Sequence, residues 1–482
     1  MKKFTLATIL ILVTASMGFS QSETDALRYS QLMYGGTARF AAMGGSFGAL
    51  GGDFSSLNIN PAGIAVYRGS EVTITPALNF SRIETAYFNT PDEDTKYNFN
   101  LGNFGAVITF PTNNAEEKSG WQFVNIGFGI NRHNNFNDRW IARGFNPDNS
   151  LMTSFLEQAI REGSLSNLDE FSTGLAWDTW LLGKDEDTGF FVDMPGGMVE
   201  QHRETNASGS INEFLLSLGA NYGDRLYLGA TFGFPTVSYK EENIFREDDI
   251  GGLSEDFNQL TYNNSFETSG TGFNFKLGAI FRATDVVRLG AAFHTPTFYE
   301  LRDKYRASLR SDMNFDDYND FARSPEGRFD YEVETPMKAI GSLGLVFGGI
   351  GMVNIDYEYI DYSTARLRSS EYLFTEENSI IRNTLTQQHN IRVGGEVRLD
   401  PVIFRAGYAY HSSPYVSEVN DGQRNLVSAG FGIREGNYFI DFAYTYMFYS
   451  EDYILYTVDG GGPIVSRDFS NSMFRATLGW RF

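Results

Sequence analysis

Residues 472–482 read Ser472-Met473-Phe474-Arg475-Ala476-Thr477-Leu478-Gly479-Trp480-Arg481-Phe482, and the alternation in this stretch decides the fold class. Successive side chains of an extended chain point to opposite faces. Phe474, Ala476, Leu478, Trp480 and Phe482 therefore share one face, and Arg475, Thr477, Gly479 and Arg481 the other. A helix would scatter both sets around its axis. A strand that is apolar on one side and polar or small on the other suits a wall between lipid and a lumen.

The same period of two recurs upstream. Ile440, Phe442, Tyr444, Tyr446 and Phe448 alternate with Asp441, Ala443, Thr445 and Met447, and Phe404, Ala406, Tyr408 and Tyr410 with Arg405, Gly407 and Ala409. Val353, Ile355, Tyr357 and Tyr359 repeat it, as do Leu226, Leu228, Ala230, Phe232 and Phe234, and Phe273, Phe275, Leu277, Ala279 and Phe281. Short turns are expected at Tyr222–Asp224, Ala283–Asp285, Gly348–Ile350, Asp400–Pro401 and Glu435–Gly436. Long polar stretches lie around 246–260, 311–327, 369–384, 413–423 and 450–471. Outer-membrane barrels have this asymmetry, with short periplasmic turns and long external loops.

The reading is an all-β, antiparallel transmembrane barrel over 70–482. It has about 14 strands, the even number such barrels require. They start near 71, 98, 121, 203, 225, 262, 286, 328, 351, 386, 402, 424, 437 and 472. Starting the first strand at the periplasm puts every short turn on one side and every long loop on the other. The longest external loop is 133–200. Within it Leu151, Phe155, Leu156, Ala159 and Ile160 have helical spacing behind Asn149 or Ser150 as N-cap, and Phe171 to Leu181 is a second helical candidate. The acidic runs Asp92-Glu93-Asp94, Asp185-Glu186-Asp187 and Asp316-Asp317 are assigned to loops.

Composition agrees with a barrel. The chain carries 42 Phe, 26 Tyr and 50 Gly, with 20% charged residues. Aromatic residues suit strands and interfacial girdles, and glycine suits tight turns and crowded interiors. Lys2 and Lys3, the apolar run Phe4 to Val13 and the small residues Ala15, Ser16 and Gly18 read as a secretory signal peptide over 1–20, cut near Ser20–Gln21. No later segment has 18 consecutive apolar residues, so helical spans are not expected. The absence of Cys excludes disulfides, thiolate metal sites and a lipid-modified N-terminal cysteine. A formal net charge of −22 disfavours nucleic acid as a partner.

The segment Tyr34 to Tyr67 is rich in glycine: Gly44, Gly45, Gly48, Gly51 and Gly52 precede Asp53, and Asn58 and Asn60-Pro61-Ala62-Gly63 follow. No alternating strand precedes it and no Gly-Lys-Ser or Gly-Lys-Thr follows, so a phosphate-binding loop is set aside. A glycine-rich stretch with an Asp, then Asn-Pro-Ala-Gly, then a barrel of about 14 strands resembles the FadL/TodX family of outer-membrane hydrophobic-compound transporters. The resemblance covers the mature chain in architecture, and its motif covers Ala41 to Gly63. It implies that residues 21–69 fold inside the barrel as a hatch. Physics supplies a reason, because barrels larger than eight strands leave a lumen to be plugged or left open.

The resemblance further implies external capture of an apolar small molecule, an internal pocket and lateral exit through the wall. Phe155, Trp177, Trp180 and Leu181 are docking candidates in the 133–200 loop; packing of that loop's own core is the equal alternative. Asn125, Gly127 and Gly129 share one face of the third strand. They either permit a kinked lateral opening or clear space for the hatch. Interior bases are Arg282, Arg288, Arg392, Arg398, Arg405, Arg475 and Arg481; a fatty-acid carboxylate would want one of them, and most are expected to pair with Asp356, Glu358, Glu396, Asp441 or Asp53.

No enzyme constellation, metal site or cofactor is read. The five His residues have no metal-ligand spacing, and Asp185-x-Asp187 with Gly189 lacks the later ligands of a calcium loop. Membrane lipid and the barrel-insertion machinery, through Phe482, are the other expected partners of what reads as a monomer. The expected function is passive uptake of long-chain fatty acids or aromatic hydrocarbons across a Gram-negative outer membrane. The alternatives are a FadL-like shuttle barrel of type IX protein secretion and a general porin.

Overall fold

The computed structural model describes residues 23–112, 120–192, 194, 196–314, 320–416 and 420–482. The expected signal peptide and Asp316-Asp317 fall outside the described residues. Fourteen antiparallel strands close into one barrel. In chain order they are β1 Glu71–Tyr87, β2 Thr90–Pro111, β3 Trp121–Asn135, β4 Val199–Tyr222, β5 Leu226–Asp248 and β6 Phe257–Arg282. β7 is Val287–His294, resumed past Pro296 as Phe298–Met313; β8 is Gly327–Glu334, resumed past Pro336 as Lys338–Val346. Then follow β9 Gly351–Asp361, β10 Gln387–Leu399, β11 Val402–His411, β12 Arg424–Glu435, β13 Tyr438–Ile454 and β14 Ile464–Arg481.

Each strand pairs with its chain neighbours, and β1 pairs with β14 from Glu71↔Arg481 to Ala86↔Ser466. Ser70 and Phe482 exchange both backbone hydrogen bonds at 3.0 Å, which seals the periplasmic rim. The five short turns fall where the alternation puts them, each between two consecutive strands.

The outward face marks the membrane. On β5 it carries Leu228, Phe232 and Phe234, then changes to Thr236, Ser238, Lys240 and Glu242. β14 changes between Phe474 and Ser472, and β1 between Phe80 and Arg82. Beyond this apolar band the strands keep going: β5 has 23 residues and β6 has 26, where about 9–11 suffice to cross a bilayer.

Several stretches assigned to loops are therefore strand. Asp92-Glu93-Asp94 lies on β2 and pairs with Thr85, Glu84 and Ile83. Much of 246–260 and 450–471 belongs to β5, β6, β13 and β14. The 133–200 loop also begins later than expected, because Asp138–Asn146 prolongs β3 and pairs with Val199–Ala207. Polar side chains do not end a ladder, since its hydrogen bonds are made by the backbone.

Above the rim an external cap closes over the barrel. Its helices are α3 Leu151–Glu162, N-capped by Ser150, and α4 Thr173–Asp178. They bury Met152, Phe155, Leu175 and Leu181 against Phe245, Leu260, Leu309 and Val465 from the strand tips. A further helix, Thr375–Thr384, follows β9.

Candidate functional site

The site is built from the N-terminal segment, a cavity beside it and an interruption in the wall. The segment begins with helices α1 Glu23–Ser30 and α2 Ala38–Ala42, which the fold places before the strands. Two tight turns follow, Phe54–Asn58 and Pro61–Val66. Its small residues matter because backbone meets wall directly. On the β12–β14 side Ala38 N–H donates to Thr477 Oγ1 at 2.7 Å and Gly44 N–H to Ser428 Oγ at 3.0 Å. Facing β9, Phe47 N–H donates to Asp356 Oδ2 at 2.9 Å and Gly48 N–H to Oδ1 at 3.1 Å. Partners on β3, β6, β7 and β10 complete the circle.

Each singled-out residue of the segment has a definable place. Gly44, Gly45, Gly51 and Gly52 all have positive φ. At Gly51 a Cβ would also stand 2.7 Å from the Cα of Gly63, so the two turns touch backbone to backbone. Gly48 lies against Ser342 and Asp356. Asp53 caps the first turn through Ser55 N–H at 2.9 Å and accepts the Thr37 hydroxyl at 2.8 Å, and Thr37 itself caps α2. Burial pushes the Asp53 carboxyl up to about 6 against the opposing charge of Arg39. Asn58 Oδ1 accepts from Asn131 of β3 at 3.0 Å. Asn60 caps the second turn, accepting from Ala62 N–H at 3.0 Å, while its amide donates to Gly48 O at 2.7 Å and Ala279 O at 3.1 Å. Pro61 opens that turn at the helix position where its missing N–H costs nothing.

Arg39, which the sequence pattern does not single out, ties the segment to the wall. Its Nε donates to Glu396 Oε2 at 3.0 Å and its Nη1 to Gly52 O at 2.9 Å. Glu396 also receives Arg405 at 2.8 Å and Arg398 at 3.0 Å, and Arg405 reaches Asp441 at 2.7 Å. The segment thus joins a buried charge chain on the wall. Of the other interior bases, Arg392 pairs with Glu358, Arg481 with Glu71 and Arg282 with Asp285, whereas Arg288 donates to Leu50 O.

Asn125, Gly127 and Gly129 face the segment. Asn125 donates to Ile64 O at 2.7 Å and Tyr67 O at 3.1 Å. A Cβ on Gly127 would come within 2.6 Å of Ile64, and one on Gly129 within 2.6 Å of Phe54. The ladders to β2 and β4 run unbroken through all three residues. The break lies one step higher. β3 pairs with β2 only from Phe123↔Pro111 to Asn131↔Asn103, while β2 continues up to Thr90 beside β1.

Above Asn103 the N-terminal segment takes the vacant edge. Gly35 N–H donates to Arg132 O at 3.0 Å, Met33 N–H to Asn134 Oδ1 at 2.8 Å, and Asn134 to Gln31 O at 2.8 Å. Ion pairs Asp94–Arg139 at 3.1 Å and Asp92–Arg143 at 2.6 Å bound the window from above. On its outer edge Tyr97 and Phe99 are 69% and 74% exposed, against 39% for Phe104 and Ile108 lower on the same strand. The window therefore stands in the upper part of the apolar band. The run Asn131-Arg132-His133-Asn134-Asn135, where alternation stops, was the available signal.

Behind the window lies a cavity of about 770 Å³ that reaches Gly102, Arg132 and Asn134 on one side and Leu426, Met447 and Phe469 on the other. Such a volume is typical of small-molecule sites. Of the docking candidates, Phe155 and Leu181 are fully buried in the cap, Phe155 edge-on to Tyr262 at 5.6 Å. Trp177 is half-buried. Trp180 is 58% exposed with φ 62° and stands at the surface.

Solved structures with this architecture include a Pseudomonas aeruginosa FadL homologue at TM-score 0.55, with 13% identity over 94% of this chain and 99% of that one. The Pseudomonas putida toluene transporter TodX follows at 0.54 and 12% identity, over 93% and 99%. The Ralstonia pickettii toluene transporter TbuX stands at 0.51 and 15%, over 93% and 98%. Those identities carry the fold alone. No curated protein matches in sequence. The family description "Outer membrane protein transport protein (OMPP1/FadL/TodX)" matches residues 216–464, just over half the chain. With its closed membrane barrel, this chain belongs to that family of outer-membrane transport proteins.

Proposed function

We propose that the protein carries hydrophobic small molecules passively from the external face into the lumenal cavity and out through the β2–β3 window into the membrane. Residues 21–69 act as the hatch. The observation that carries this reading is the window itself, a gap in the ladder at bilayer height, framed outside by Tyr97 and Phe99 and backed by a cavity. Lateral release suits an apolar cargo, because leaving water for lipid is favourable by about 25 cal/mol per Å² of apolar surface. A polar solute would gain nothing by that exit.

The hatch also abuts the window, since Gln31, Met33 and Gly35 hold the β3 edge that β2 leaves free. A shift of this stretch would widen the gap without breaking the barrel. The cargo class is long-chain fatty acids or aromatic hydrocarbons.

Uptake of radiolabelled oleate and toluene by cells expressing the protein, against cells lacking it, tests the reading. Faster uptake of at least one is the expected result. Equal uptake of both, with secreted proteins recovered on the purified barrel, would favour a secretion shuttle. Equal uptake with a steady large conductance would favour a porin.

A further inference from the structure

The outer surface of the wall carries a basic patch well above the membrane. On β7 the last apolar outward residue is Phe298, and Arg302, Arg306 and Arg310 follow on the same face. The alternate residues Ala307, Leu309 and Met313 are buried under the cap, which fixes the strand. At about 3.3 Å of rise per residue and a tilt of roughly 40°, Arg306 to Arg310 stands roughly 20–30 Å above the apolar band.

Cross-strand neighbours add more cations. The short strand Phe321–Arg323 pairs with β7 so that Phe321 lies opposite Arg310 and Arg323 opposite Ser308. Arg310 and Arg323 both lie over the Phe321 ring, at 5.2 and 5.5 Å from its centre. Just below them Arg306 and Arg328 share the carboxylate of Glu326, Arg328 at 2.6 Å. Neither Arg310 nor Arg323 has an ion pair among the described residues. Four guanidiniums thus gather around one carboxylate, with Asp312 at the next outward position, in a chain whose net charge is −22. On the β6 side the patch is edged by Thr261, Asn263 and Ser265, which are polar and uncharged.

This pattern fits several phosphates on a sugar frame. Arginine pairs with phosphate through two parallel hydrogen bonds, and hydroxyl and amide side chains match sugar hydroxyls. Cations held side by side repel one another, and a polyanion removes that cost. Height selects the source of the phosphates. Phospholipid headgroups reach only about 5–7 Å beyond the hydrocarbon core, below the patch. The sugars of lipopolysaccharide rise from the outer leaflet past that level.

We propose that the outward face formed by Arg306, Arg310, Arg323 and Arg328 binds the phosphorylated core oligosaccharide of lipopolysaccharide. The inference is independent of what the lumen carries.

Equilibrium binding of lipopolysaccharide truncated after its phosphorylated core, to the immobilised full-length protein in non-ionic detergent, tests it. The same glycolipid after chemical dephosphorylation and lipid A alone serve as comparison probes. The phosphorylated form is expected to bind roughly tenfold tighter than either, and less tightly as salt rises. Arg310→Gln combined with Arg323→Gln is expected to abolish that preference. Both side chains are exposed, so the fold is expected to tolerate the change. Lys240→Gln, which removes an exposed cation of β5 instead, is expected to keep the preference. Equal binding of the phosphorylated and dephosphorylated forms, or a preference that survives in the double variant, would overturn the proposal. Lipid A binding as tightly as the full core would place recognition at the headgroups and overturn it too. Loss of the preference in Lys240→Gln would reduce the effect to net charge, with the same consequence.

Discussion

Deleting residues 23–66 is expected to turn a nearly occluded barrel into one with a steady, large single-channel conductance. The barrel does not need the segment to close, because β1 and β14 pair directly and Ser70 still meets Phe482. What the segment fills is the lumen. Barrels of about 16–18 strands leave an aqueous channel and about eight fill with their own side chains, so 14 strands leave room that water would take. Asn354, Asp356 and Glu396 would lose backbone partners in the segment or Arg39 but regain hydration, so the loss is small for the wall. Planar-bilayer recording checks it. A deletion variant that inserts normally yet conducts no more than the full chain would show that the strands themselves fill the lumen.

Replacing Glu396 by Gln is expected to have the second-largest effect, undocking the segment and lowering the unfolding temperature. One carboxylate serves Arg39, Arg398 and Arg405, and among the described residues only Arg405 has another, Asp441. Removing one partner of a buried ion pair costs about 3–5 kcal/mol, because the remaining charge stays out of water. Most of that cost disappears if Arg39 leaves with its segment, so undocking is the favoured response. Limited proteolysis should then cut within residues 23–66 in the variant and spare the native protein. Adding Arg39→Met should restore part of the protection, since an apolar side chain carries no such penalty. Unchanged protease resistance and unchanged thermal unfolding in Glu396→Gln would mean that the segment is held by its backbone contacts alone.

The membrane-crossing part of the fold was legible because lipid imposes a period of two on every strand. Above the membrane that constraint lapses. On β5 the outward residues become Thr236, Ser238, Lys240 and Glu242, and the stretch from 246 on reads as loop although the ladder continues to Asp248. The place of Asn60 could be guessed from its position before Pro61. Its reach to Ala279 could not, because nothing local encodes a contact across the lumen. Arg39 was invisible for the same reason, its partner lying 357 residues away. The third strand shows the subtlest difference. Gly127 and Gly129 announce a close approach of two chains, and the segment makes it, while the gap itself follows from the polar run after Ile130. In the cap, helical spacing identified α3 but could not tell Phe155, buried in its core, from Trp180, exposed on its surface.

The chain has no cysteine, so a single engineered disulfide can address the window without side reactions. Met33 N–H already lies 2.8 Å from Asn134 Oδ1 at the window's edge. Met33→Cys with Asn134→Cys should therefore staple the hatch over the gap when oxidised. The direct measurement is oleate and toluene uptake by this double variant before and after reduction. Uptake is expected at background level when oxidised and at the native rate when reduced; equal native rates in both states would contradict exit through the β2–β3 window.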